Sequence, residues 1–84
     1  MTTQPHVIEK IPTGAWRENC YIIFNENKKA IVIDPGADPL KIDSYIVDNN
    51  LIVSAILNTH GHYDHIGAVD FIQQKYSAKF QNPN

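Results

Sequence analysis

Two short, almost wholly apolar runs, Ala30 to Ile33 (AIVI) and Leu51 to Leu57 (LIVSAIL), flank a segment of helical periodicity, and this pattern constrains the fold more than any other feature of the chain. Strands joined through a helix pair in parallel by a right-handed crossover, so the stretch predicts a β-α-β unit and an α/β protein. Asp38 followed by Pro39 reads as a helix start, an acidic cap before a proline at the first helical position. Ile42, Tyr45 and Ile46 then make the i, i+3, i+4 stripe, widened by Leu40 and Val47, and the helix is expected to run to about Asp48, where Asn49-Asn50 ends it. Because AIVI is continuously apolar rather than alternating, its strand is expected to be buried on both faces.

The flanking sequence extends this unit. Val7 to Ile11 is a candidate strand that Pro12-Thr13-Gly14 is expected to break, and NCYIIFN (Asn19 to Asn25) is rich in aromatic and β-branched residues. With the polar Asn25 to Lys29 segment between them, NCYIIFN and AIVI predict an antiparallel hairpin. After the second apolar run, Ala68, Val69, Ile72 and Tyr76 recur at helical spacing, which predicts a helix from roughly Ile66 to Tyr76 packed back on the sheet. Ser77 to Phe80 begins like one more strand, whereas Gln81-Asn82-Pro83-Asn84 is polar and turn-forming, so an exposed edge is expected there.

Composition narrows the function classes. At 84 residues there is room for one small domain, in which a bound metal or a second subunit can supply stability that the core lacks. A formal charge of -2, with 7 scattered Lys and Arg, gives no footprint for nucleic acid. The single cysteine, Cys20, permits no internal disulfide and sits in an apolar strand, where it reads as a small buried hydrophobe. A lone cysteine fits a reducing cytosol, so a cytoplasmic location is expected, and with no apolar stretch of membrane-span length and no signal-peptide core at the N-terminus the chain is expected to be soluble, with no membrane partner.

Chemistry concentrates in Thr59-His60-Gly61-His62-Tyr63-Asp64-His65, where three of the 4 histidines of the chain and a carboxylate follow an apolar strand directly. Residues two apart in an extended segment point the same way, so His60 and His62 can present two imidazoles to one ion. Asp64 and His65 can face the same cavity from a second direction as the chain turns into the next helix, leaving room for one ion or two. Imidazole and carboxylate donors suit zinc, with iron or manganese as alternatives. A divalent ion with an open position generates hydroxide at neutral pH, so hydrolysis is the natural use, with Asp64 both binding metal and orienting the nucleophile. The strand-to-helix loop that carries the cluster lies where α/β sheets bind ligands, outside the carboxyl ends of strands. His6 stands alone near a terminus and is given no role.

The segment His60-Gly61-His62-Tyr63-Asp64-His65 matches the HxHxDH signature of the metallo-β-lactamase superfamily. NCYII (Asn19 to Ile23), AIVIDPGAD (Ala30 to Asp38) and NTHGHYDHIGAV (Asn58 to Val69) resemble its glyoxalase II-like, or hydroxyacylglutathione hydrolase-like, branch. The resemblance implies one half of an αββα sandwich, hairpin strands followed by β-α-β-α. It further implies His60 and His62 as ligands of a first ion, Asp64 and His65 as ligands of a second, Asp34 of the Asp-Pro-Gly motif behind the ligands as an orienting group, and Thr59 as a residue that fixes the loop. Asp34 has a plainer reading too, because Asp-Pro-Gly forms turns wherever it occurs.

Members of that family are longer and draw a further histidine, a bridging aspartate and a final histidine from downstream sequence; after His65 this chain has no histidine, and Asp70 is too close to the motif to stand for the aspartate. Residues 1–84 are therefore expected to be the N-terminal portion of a metallo-β-lactamase-type domain. Apolar surface left uncovered predicts self-association, in which two such loops could complete one metal shell. Two functions follow: a zinc-dependent hydrolase cleaving a small-molecule thioester or ester by metal-bound hydroxide, or a non-catalytic zinc-binding half-domain that assembles around the metal.

Overall fold

The computed structural model describes residues 6–14, 18–59 and 68–81. Their order is β1 (His6–Thr13), β2 (Glu18–Asn25), β3 (Lys29–Ile33), α1 (Pro39–Asp48), β4 (Ile52–Leu57), α2 (Ala68–Tyr76) and β5 (Lys79–Gln81). The strands form one sheet in sequence order. β1, β2 and β3 make antiparallel pairs, and β4 and β5 continue in parallel, each reached through a helix. The predicted hairpin and β-α-β unit are both present. In the β2–β3 turn the Asn25 side chain accepts the amides of Asn27 (3.0 Å) and Lys29 (3.2 Å), while Lys28 takes the left-handed conformation at φ 68.

The pairing register sorts the side chains into two faces. Ile22, Val32 and Ile56 form a row across the three central strands, and all are fully buried. Ile42 and Ile46 of α1 and Ile72 of α2 join the same core, so both helices cover this one face. The ring of Tyr45 packs on Phe24, centroids 6.4 Å apart, extending the contact toward the hairpin. Each such isoleucine stabilises the fold by about 1.5–3 kcal/mol relative to leaving it in water.

The opposite face carries a second apolar row, and part of it is exposed. Ile8, Ile23, Ile31 and Ala55 line up in register across four strands, with Ile8 63% and Ile31 36% exposed. This corrects the expectation that AIVI is buried on both faces: Ala30 and Val32 are buried, Ile31 is exposed and Ile33 is half-buried. A continuous apolar run reports that both faces are apolar, not that both are covered.

Four details also differ from expectation. β1 runs through Pro12 to Thr13, because β1 is an outer strand and a residue without an N–H is tolerated on a side with no neighbour. Leu40 and Val47 do not widen the buried stripe of α1; they are 68% and 53% exposed. Asp38 precedes Pro39 at the helix start, yet its side chain makes no capping hydrogen bond. β5 includes the polar Gln81, which an outer strand accommodates. The second helix is described from Ala68 to Tyr76, and the expected start near Ile66 lies outside the described residues.

Candidate metal centre

Because β3 and β4 are parallel, their carboxyl ends lie side by side, and the loops leaving them begin together. Asp34 follows β3 directly and adopts the left-handed conformation at φ 56, which Asp tolerates better than most residues. Its backbone N–H donates to the Leu57 carbonyl at 2.8 Å, closing the gap between the two strand ends. Its carboxylate reaches the next loop. Oδ1 accepts the Thr59 amide at 2.6 Å and Oδ2 accepts the Thr59 hydroxyl. Held in a left-handed backbone conformation, Asp34 is thus a clamp on the residue just before His60.

His60, His62, Asp64 and His65 lie outside the described residues, and the structure describes what flanks their segment, Thr59 before it and Ala68 after it. Thr59 is held by Asp34, and Ala68 and Val69 of α2 are buried against the sheet. Among the described residues no group of three or more His, Cys, Asp and Glu side chains converges in a way that could hold a metal. Three imidazoles and a carboxylate within six residues of sequence are chemically suited to a borderline divalent ion, so this donor set fits a metal. His6 opens β1 at the opposite end of the sheet, paired with Asn25 beside the β2–β3 turn.

Cys20 is fully buried in β2. Burial, and secondarily the negative charge of Asp34, pushes its thiol up to about 12, so it is neutral at physiological pH and a poor metal ligand. Two interactions were not legible in the sequence. The Asp38 carboxylate accepts the Gly14 amide at 2.8 Å, and the Lys41 ammonium donates to the Pro12 carbonyl at 2.6 Å. The first ties Gly14, just after β1, to the β3–α1 connection and the second ties β1 to α1, each across more than twenty positions of sequence, and no local motif announces such a pairing.

The family model described as the metallo-beta-lactamase superfamily matches residues 13–80. The chain is 35% identical over 77 residues to the hydroxyacylglutathione hydrolase GloC of Haemophilus influenzae, covering 92% of this chain and 36% of that protein. Among solved structures, the BLEG-1 B3 metallo-beta-lactamase superposes with a TM-score of 0.82 at 36% identity, covering 88% of this chain and 35% of that one. The structure of TTHA1623 in a di-iron-bound form superposes with a TM-score of 0.73 at 32% identity, covering 86% and 36%. The chain spans about a third of the length of the curated relatives it matches.

Proposed function

Since the chain belongs to the metallo-beta-lactamase superfamily, we propose that it serves a metal-dependent hydrolase reaction on a small-molecule thioester or related ester, with the metal held by His60, His62, Asp64 and His65. The observation that carries this reading is the Asp34 clamp on Thr59, which sets the start of the histidine loop at the carboxyl ends of β3 and β4. When bound, such an ion would acidify a coordinated water and polarise the carbonyl oxygen under attack. The three histidines would supply neutral imidazole donors. Asp64 would add a carboxylate that both binds and accepts a hydrogen bond from the attacking water. Asp34, through Thr59, would keep the entry to the loop from swinging. The net reaction adds water across the acyl bond: the carbonyl carbon gains the hydroxyl, and the sulfur or oxygen leaving group takes the proton.

Zinc is the metal favoured by this donor set, as one ion or two, with iron or manganese as alternatives; the di-iron form of a structural relative keeps iron in contention. The neutral, buried Cys20 is consistent with a cytoplasmic location. The test is to load the chain with zinc, iron or manganese, measure the metal-to-chain ratio, and assay thioester, lactam and phosphodiester hydrolysis against a chelated control. Thioester turnover that tracks metal content is expected. No turnover above the control on any substrate would remove the hydrolase reading for this chain.

The exposed row through Ile8 and Ile31 favours a second reading, a metal-binding half-domain that assembles through that face and turns nothing over. Chelator would then dissociate or unfold the protein while every hydrolase assay stayed silent.

A further inference from the structure

We infer that Asp34 and Asp38 act together as paired clamps that hold Gly14, just after β1, and Thr59, just before His60, in fixed relation across the β3–α1 connection, which makes Asp38 a positioning residue for the proposed site. Both residues are left-handed, at φ 56 and φ 52, and each sends its carboxylate to the backbone amide of a different neighbouring loop. For Asp38 the helix it precedes does not account for this: a capping aspartate normally has extended backbone angles and accepts an amide of its own helix, and a residue before proline is pushed the same way. Asp38 does neither, and its carboxylate is aimed at Gly14 instead.

Two further contacts bring the end of β1 and Gly14 against this connection and the first turn of α1. Gly14 is itself left-handed at φ +74, and a Cβ placed there would meet the Ala37 side chain at 3.2 Å, so the two loops touch where only glycine fits easily. Lys41, one turn into α1, donates to the Pro12 carbonyl at 2.6 Å. Residues 34–38 therefore carry Gly14 at one end and Thr59 at the other, and a shift at either is transmitted through a five-residue segment whose two terminal residues are both clamped.

This inference rests on the proposed metal site for its consequence at the ligands, but not for the coupling itself. The test compares Asp38→Gly and Asp38→Asn in the whole chain by amide hydrogen exchange without metal and by zinc affinity in competition with a chromophoric chelator. Glycine takes the left-handed angle freely, so Asp38→Gly removes the carboxylate without adding strain. Faster exchange at both Gly14 and Thr59, by about tenfold, is expected. Weaker zinc binding, by about tenfold, is expected with it, and Asp38→Asn, which keeps an acceptor oxygen, should restore both. Unchanged exchange at Thr59 would overturn the coupling. Zinc binding absent in the unaltered chain would defeat the metal-site reading and leave the coupling to be judged by exchange alone. Should Asp38→Gly fail to fold, Gly14→Ala, whose Cβ would press on Ala37 at 3.2 Å, is read the same way: faster exchange at residue 14 and Thr59 supports the inference, and an unchanged Thr59 overturns it.

Discussion

Asp34 and Cys20 illustrate what one residue can decide here. Replacing Asp34 with Ala removes the acceptor of two Thr59 hydrogen bonds and also places a Cβ-bearing residue with no polar side chain at φ 56. Metal affinity is expected to fall about 10- to 100-fold, as for other groups that orient ligands from behind, and a titration with zinc measures it. Cys20 is expected to resist thiol reagents at pH 8 in the folded protein and to react at once in denaturant, because its thiol is buried and held neutral up to about 12. The same shift has a sign for stability. A pKa raised on folding contributes stability that is complete below the unfolded value and is lost as pH rises toward the folded one, so the Cys20 contribution should decline between about pH 9 and pH 12. Tyr76 acts in the same direction at higher pH, since burial and then its hydrogen bond to Asp43 raise its phenol above the ordinary value. Urea midpoints should therefore fall as pH climbs beyond 9, and Tyr76→Phe should flatten the upper part of that decline.

Between elements, the contact that can be tested most cleanly is the one joining the two helices. Asp43 of α1 accepts the Tyr76 hydroxyl with one oxygen and the Lys75 ammonium at 2.6 Å with the other, both from the last turn of α2. The buried residues of α2, Ala68, Val69 and Ile72, lie toward its start, and on its last turn Tyr76 packs against the core while Asp43 adds these polar ties. Asp43→Ala is expected to cost about 1–3 kcal/mol in urea unfolding, most of it from the Tyr76 partner, because Lys75 is 45% exposed and a solvated ion pair adds little. Element type and order were legible because periodicity and turn residues act locally: the hairpin, both helices and the crossover lie where the sequence places them. Burial was less legible. Leu40 and Val47 fit a helical stripe by spacing, and Ile31 fits a buried strand by composition, yet all three face outward because the covering layer is a matter of tertiary packing.

Across the whole molecule, the sheet has helices on one face and an exposed apolar row on the other. We propose that this second face mediates self-association of the chain; its sedimentation coefficient should rise with concentration, and Ile8→Lys with Ile31→Lys should suppress the rise while preserving the helix content. A concentration-independent monomer would count against the proposal. Metal belongs to the same scale. Were the proposed ion to bind the folded chain, it would add to stability by mass action, so chelation is expected to lower the thermal midpoint by several degrees, checked by scanning with and without zinc.

The sequence by itself determined the α/β class, the β-α-β unit, the position of the histidine loop after β4 and the family, because hydrophobic period and a dense motif are written in neighbouring residues. It also singled out Asp34, and the fold shows its carboxylate holding the Thr59 amide from a left-handed backbone. Only the tertiary structure decided which apolar face is covered and what Asp38 does. Asp38 and Gly14 are 24 positions apart, and their meeting depends on the antiparallel return of β2 and the crossover through α1 bringing two loops to the same end of the sheet.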